Sequence, residues 1–223
     1  MPNAETGTSA PGPAPTPPTG AGPSVVLGVD PGLTRCGIGI IVGPASRPRT
    51  RGHECIRTSP DTPLEERLLA VHDAIVAAIE THRPDAVAVE RVLFSANVRT
   101  AMATGQAAGV ALLAAARAGV PVTAYSPNEV KQTVAGSGSA DKDAVGRLVA
   151  AQLGLAAIPG PADVADALAV ALTHLARSRI VAAAGRSSAA DALAAAQADA
   201  GRARRGGWEA HLADRGLLPR GRP

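Results

Sequence analysis

Between Ser24 and Ile180 the apolar residues change their spacing in a fixed order, and that order limits the fold more than any other feature of the chain. The run "VVLGV" (Val25 to Val29) is unbroken and ends in Asp30, followed by Pro31 and Gly32. A short continuous apolar run bounded by a turn signal suits a strand covered on both faces. Ser24–Asp30 and Cys36–Val42 are joined by "PGLTR", a turn-sized connection, and read as an antiparallel hairpin. Arg51–Thr58 is expected as a third strand. In Thr62–His82 the period lengthens: Leu64, Leu68, Val71, Ile75 and Ile79 recur at three and four residues, the spacing of an amphipathic helix. Strand Asp85–Glu90, helix Asn97–Arg117, strand Val120–Tyr125 and helices Pro127–Val134, Ala140–Leu153 and Ala162–Ile180 complete the series. Three meandering strands followed by alternating helices and strands predict an α/β fold, a mixed five-stranded sheet flanked by helices.

Composition sets the limits of that domain. The chain has 223 residues, 46% of them hydrophobic, enough for one sizeable core. Residues 1–23 hold seven prolines and almost nothing to bury, so a disordered lead is expected there. Residues 181–223 form an alanine- and arginine-rich tail with seven arginines against four acids, expected to be flexible. With the tail at +3 and the lead at −1, the chain's +3 leaves only +1 on residues 24–180, the expected globular domain. The two cysteines, Cys36 and Cys55, lack any zinc or C-x-x-C spacing and read as reduced thiols. No apolar run reaches membrane-spanning length and no secretory signal opens the chain, so a soluble, cytoplasmic protein without a membrane partner is expected.

Carboxylates stand at unusual places in this pattern. Asp30 and Glu90 each end an apolar strand; if those strands are neighbours, the two acids lie side by side and repel. In "PADVADALAVALTH", Asp163 and Asp166 are three residues apart on one face of an otherwise apolar helix. Capping and the helix dipole are the ordinary reading of acids in a first turn, and for Asp163 that reading stays open. It does not account for Asp30 and Glu90. Hard oxygen ligands converging from separate elements suit Mg2+, and two such ions roughly 3.5–4 Å apart form a clamp for phosphodiester displacement.

Four segments, "GVDPGLTRCGIGII", "VAVERVLFSANVRTAMATGQAAGV", "NEVKQTVAGSGSADKDAVGRLV" and "PADVADALAVALTH", resemble in order and spacing the signature blocks of the RuvC family of bacterial Holliday-junction resolvases. The resemblance covers about Ser24 to Arg177. It implies a ribonuclease-H-like fold and a crossover junction endodeoxyribonuclease acting in DNA recombination and repair. Asp30, Glu90, Asp163 and Asp166 would be the catalytic metal ligands, with two Mg2+ per subunit and Mn2+ as a substitute. It further implies four-way junction DNA as substrate, a homodimer, and cooperation with a RuvA–RuvB branch-migration complex. Lys131 and Lys142 become DNA-binding residues, although a lysine on a helix is ordinarily just a solvated face. Many relatives carry an aromatic wedge three residues after the catalytic glutamate; here Leu93 stands there, with Phe94 next to it. Helix Asn97–Arg117, rich in small residues, is implied as part of the dimer interface, the alternative being tight packing on its own sheet.

Two other classes compete. An actin-like or sugar-kinase-type ATPase also opens with a strand, an aspartate, glycine and a hairpin, but needs two comparable domains that about 155 residues do not supply. A non-catalytic DNA-binding relative would have no need of all four acids.

Overall fold

The computed structural model describes residues 24–91 and 98–178; the expected lead and tail lie outside them, as do Leu93 and Phe94. Five strands, β1 (Val25–Asp30), β2 (Arg35–Val42), β3 (Arg49–Arg57), β4 (Ala86–Glu90) and β5 (Val122–Tyr125), form one sheet in the order β3-β2-β1-β4-β5. β1 is antiparallel to β2 and β2 to β3, whereas β1–β4 and β4–β5 are parallel, so the sheet is mixed as expected. The helices are α1 (Leu64–His82), α2 (Val98–Arg117), α3 (Pro127–Ala135), α4 (Lys142–Leu153) and α5, residues 162–178. The first compact unit of the chain ends at Ala176, inside α5.

β1 lies in the middle, and its alternation divides the core. Val25, Leu27 and Val29 belong to a cluster with Val71, Ile75 and Ile79 of α1 and Ala111, Ala114 and Ala115 of α2. Val26 joins the opposite cluster with Val130 and Val134 of α3, Val149 of α4 and Leu168 of α5. Each aliphatic side chain buried this fully contributes about 1.5–3 kcal/mol. Cys36 and Cys55 are free thiols in opposite clusters.

Two helices depart from their expected faces. The apolar stripe of α1 is fully buried only from Val71 onward; Leu68 is half-buried, and Leu64, 42% exposed, stands in the first turn after Pro63. In α2 the small residues Ala107, Ala111, Ala114 and Ala115 are buried, while Val98, Met102, Leu112 and Leu113 face outward. β5 starts two residues later than expected, because Pro121 has no N–H for the ladder and only its carbonyl pairs, accepting from Val87.

The other face of the sheet is pared down to backbone where α5 crosses it. A Cβ on Gly28 would run into the Ala167 carbonyl oxygen and Ala171; one on Gly37 would meet the Asp163 carbonyl, and one on Gly39 the Leu168 side chain. Gly28 and Gly39 are register partners on β1 and β2, and Gly37 is paired with Asp30. These three residues form the bed on which α5 lies, and they bring its first turn to the end of β1. Gly28→Ala is therefore expected to destabilise the protein by about 3 kcal/mol. Urea denaturation of the two proteins checks this.

Candidate metal centre

Asp30 and Glu90 come together through the parallel register of β1 and β4, in which Val29 pairs with Val89. Both strands end one residue later, on the face that α5 covers. Burial of Val29 and Val89 beneath them holds the two carboxylates in place. Burial and the charges of Glu90 and Asp166 push the Asp30 carboxyl up to about 8, and burial also raises Glu90. Burial and the neighbouring charge thus favour one retained proton on this carboxylate pair, above the ordinary carboxylate range.

α5 adds the other two acids. Asp163 and Asp166 occupy its first turns, above Gly37 and beside Asp30, and both press on the Asp30 charge. All four acids named from the sequence thus meet at one end of the sheet. Each helix acid is turned to a cation: Asp166 Oδ2 lies 2.6 Å from Lys142 Nζ, and Asp163 Oδ2 lies 3.1 Å from Arg35 Nε. The second contact is an ion pair without hydrogen-bond geometry, so this buried oxygen has no hydrogen-bond donor among the described residues.

Lys142 is the first residue of α4, set by the cap in which Asp141 accepts from the Ala144 N–H at 2.6 Å. Its ammonium pKa is raised, chiefly by the bond to Asp166. Lys131, on α3, shares with Lys142, Glu90 and Asp166 a small pocket of about 210 Å3. Both lysines named from the sequence therefore stand at the carboxylates. Leu93 and Phe94 lie outside the described residues. Arg35 was not singled out in the sequence; its only signal is a position two residues before Gly37, the glycine under Asp163.

As they stand, no three acidic, histidine or cysteine side chains among the described residues grip a single point as a metal shell would. The reason is visible in the two ion pairs, which draw Asp163 and Asp166 to Arg35 and Lys142. The donor set nevertheless fits a hard divalent cation: four carboxylates, one of them with its pKa pushed up to about 8 by burial and its neighbours, and one buried oxygen short of a donor.

Residues 26–174 match the family described as crossover junction endodeoxyribonuclease RuvC. The chain belongs to the RuvC family. It is 52% identical over 187 residues to the RuvC of Salinispora arenicola, covering 82% of this chain and 98% of that protein. It is 55% identical over 153 residues to the RuvC of Frankia alni, covering 68% and 78%. Among solved structures, Thermus thermophilus RuvC in complex with a Holliday junction substrate superposes with a TM-score of 0.68 at 42% identity, over 70% of this chain and 96% of that one. The yeast mitochondrial Holliday junction resolvase Ydc2, at 13% identity and a TM-score of 0.51, shares the fold. The RuvC match removes the actin-like alternative, and it carries dependence on a divalent metal ion.

The raised Asp30 carboxyl makes the metal-free site a source of instability with a definite pH window. The unfolded chain releases this proton near 3.8 and the folded chain near 8, so stability from this group is full below about pH 4 and is lost as pH rises to 8. In EDTA, Asp30→Asn is expected to match the parent near pH 4 and to exceed it by about 3 kcal/mol at pH 8. Added Mg2+ or Mn2+ reverses the order by stabilising only the parent. Denaturant melts across this pH range, with and without the cation, check both statements.

Proposed function

We propose that this chain is a Mg2+-dependent endonuclease that resolves four-way DNA junctions by paired symmetric nicks. Asp30, Glu90, Asp163 and Asp166 hold the ions, and Lys131 and Lys142 contact the junction phosphates. The observation that carries this reading is the crowding of four carboxylates at one sheet end, where burial and the neighbouring acids push the Asp30 carboxyl up to about 8. Residues 24–180 form the nuclease domain. Mn2+ substitutes for Mg2+, since both are hard cations suited to carboxylate oxygens.

The chain's own residues supply position and charge. Asp30 and Glu90 stand on buried strands and move little; Asp163 and Asp166 stand on a helix bedded on glycine. Asp30, Glu90, Asp163 and Asp166 would hold the ions, which would supply Lewis-acid charge for phosphodiester displacement. Lys142 rests on Asp166 in the DNA-free chain, and a phosphate entering the pocket it shares with Lys131 offers the same ammonium a second anion. In-line attack by water breaks the P–O3′ bond and leaves 5′-phosphate and 3′-hydroxyl ends.

The active form is a homodimer built on α2. Val98, Met102, Gly105, Gly109 and Leu112 recur at four and three residues, the spacing of a helix–helix seam. The three large members are 69%, 60% and 44% exposed, and the two glycines have open space around them. A two-fold pair of this surface gives one metal centre per cleaved strand. The RuvA–RuvB motor is its partner by family resemblance.

With Mg2+, the protein is expected to nick a synthetic four-way junction in two symmetric strands and to leave linear duplex intact. Asp30→Asn should lower the rate about a thousandfold while junction binding persists. Binding without nicking by the parent, or equal cutting by the variant, overturns the reading. Met102→Asp with Leu112→Glu is expected to yield a folded monomer in analytical ultracentrifugation that no longer makes paired nicks.

A further inference from the structure

A second groove opens on the β2 side of the carboxylates, across them from Lys131 and Lys142. It measures about 700 Å3 and is walled by the turn after β1, the start of α1 and the first turns of α2. Thr34, Arg35, Arg67, Arg99 and Thr104 line it, and Asp163, shared with the metal centre, closes one end. Among the described lining residues three are arginines and one is an acid, so the groove is positive, with one of the four clustered carboxylates at its end.

Arg67 is the informative member. Its Nε donates to Thr58 Oγ1 at 2.9 Å and its Nη2 to Thr34 Oγ1 at 3.0 Å, while Thr58 is itself tied to the Leu33 carbonyl. The half-buried guanidinium is thus held by neutral oxygens, and no carboxylate pairs with it among the described residues. A guanidinium fixed by hydroxyls keeps its charge and its remaining N–H groups for an external anion. Arg99 adds a second exposed cation from α2, and Arg35 a third that sits on Asp163.

We infer that this groove is a phosphate track for the scissile strand, in which Arg67 and Arg99 grip the backbone on one side of the carboxylates while Lys131 and Lys142 grip it on the other. Arg67 acts as a positioning residue: held rigidly by Thr34 and Thr58, it sets the register of the strand over Asp30 and Asp163. Were Asp163 engaged by an ion, Arg35, now 3.1 Å from it, would be released for a phosphate. The inference rests on the junction-nuclease reading, but names residues that reading does not require.

The test measures binding of a fluorescent four-way junction to the full chain in EDTA, over about 50–200 mM salt, the range in which phosphate contacts dominate affinity. The variants are Arg67→Met, Arg99→Gln, their double, and Lys131→Met for comparison. The arginine double variant is expected to bind about tenfold or more weakly. Its plot of log K against log salt should be shallower by about 1.5, roughly 0.7–0.9 for each lost phosphate contact. Arg67→Lys should restore affinity but not the cleavage position mapped at nucleotide resolution with Mg2+. Arg99→Gln, which removes no described internal contact, keeps the test decisive should Arg67→Met fail to fold. Unchanged affinity and slope in folded arginine variants, with loss only in Lys131→Met, overturns the track and leaves the nuclease standing. Displacement of the junction by ATP in the parent but not in Arg67→Met also overturns it, by making the groove a site for a free nucleotide. A parent that shows no preference for the junction overturns both.

Discussion

Mutual repulsion among carboxylates is the constraint around which this domain is arranged. Four acids that would scatter in solution are held at one end of a sheet, and burial together with the neighbouring charges pushes the Asp30 carboxyl up to about 8. Everything that packs beneath them opposes this repulsion: the buried body of β1, the parallel pairing with β4, and the α5 backbone pressed onto the sheet. The hydrophobic core is thus the support for a polar site that weakens the metal-free protein, an instance of stability given up locally for chemistry.

The cations are arranged in the same logic. Lys142 and Arg35 stand where they neutralise Asp166 and Asp163, and each is more than half exposed, on a helix start and on a strand start. Ion pairs this open are weak and readily exchanged. The site therefore has a resting arrangement in which its own side chains balance part of the charge.

Much of this was legible in the sequence because it depends on local pattern. The alternation of periods identified every strand and helix to within about two residues, and carboxylates abutting apolar runs identified Asp30, Glu90, Asp163 and Asp166 as one group before their distances were known. What stayed hidden depends on contacts between distant segments. Nothing local distinguishes Gly28, Gly37 and Gly39 from glycines of any strand; the backbone of α5 makes them necessary. The small residues of α2 leave open in the sequence whether they meet a partner or their own sheet; Ala107, Ala111, Ala114 and Ala115 are buried, and the larger residues are left outside. Arg67 lies on a helix among glutamates and reads as a solvated charge, until Thr34 and Thr58 arrive from two other elements.

The side-by-side register of Asp30 and Glu90 has a further consequence. Because they end adjacent parallel strands, the separation of their backbones is inherited from the spacing between hydrogen-bonded chains, about 4.8 Å in any sheet. That length is a property of the peptide group and is beyond the reach of side-chain substitution. The backbone frame of this centre is thus tied to an invariant yardstick, and divergence in what the protein recognises is left to the parts that lie beside it: the turn after β1 and the outer faces of α2, α3 and α4.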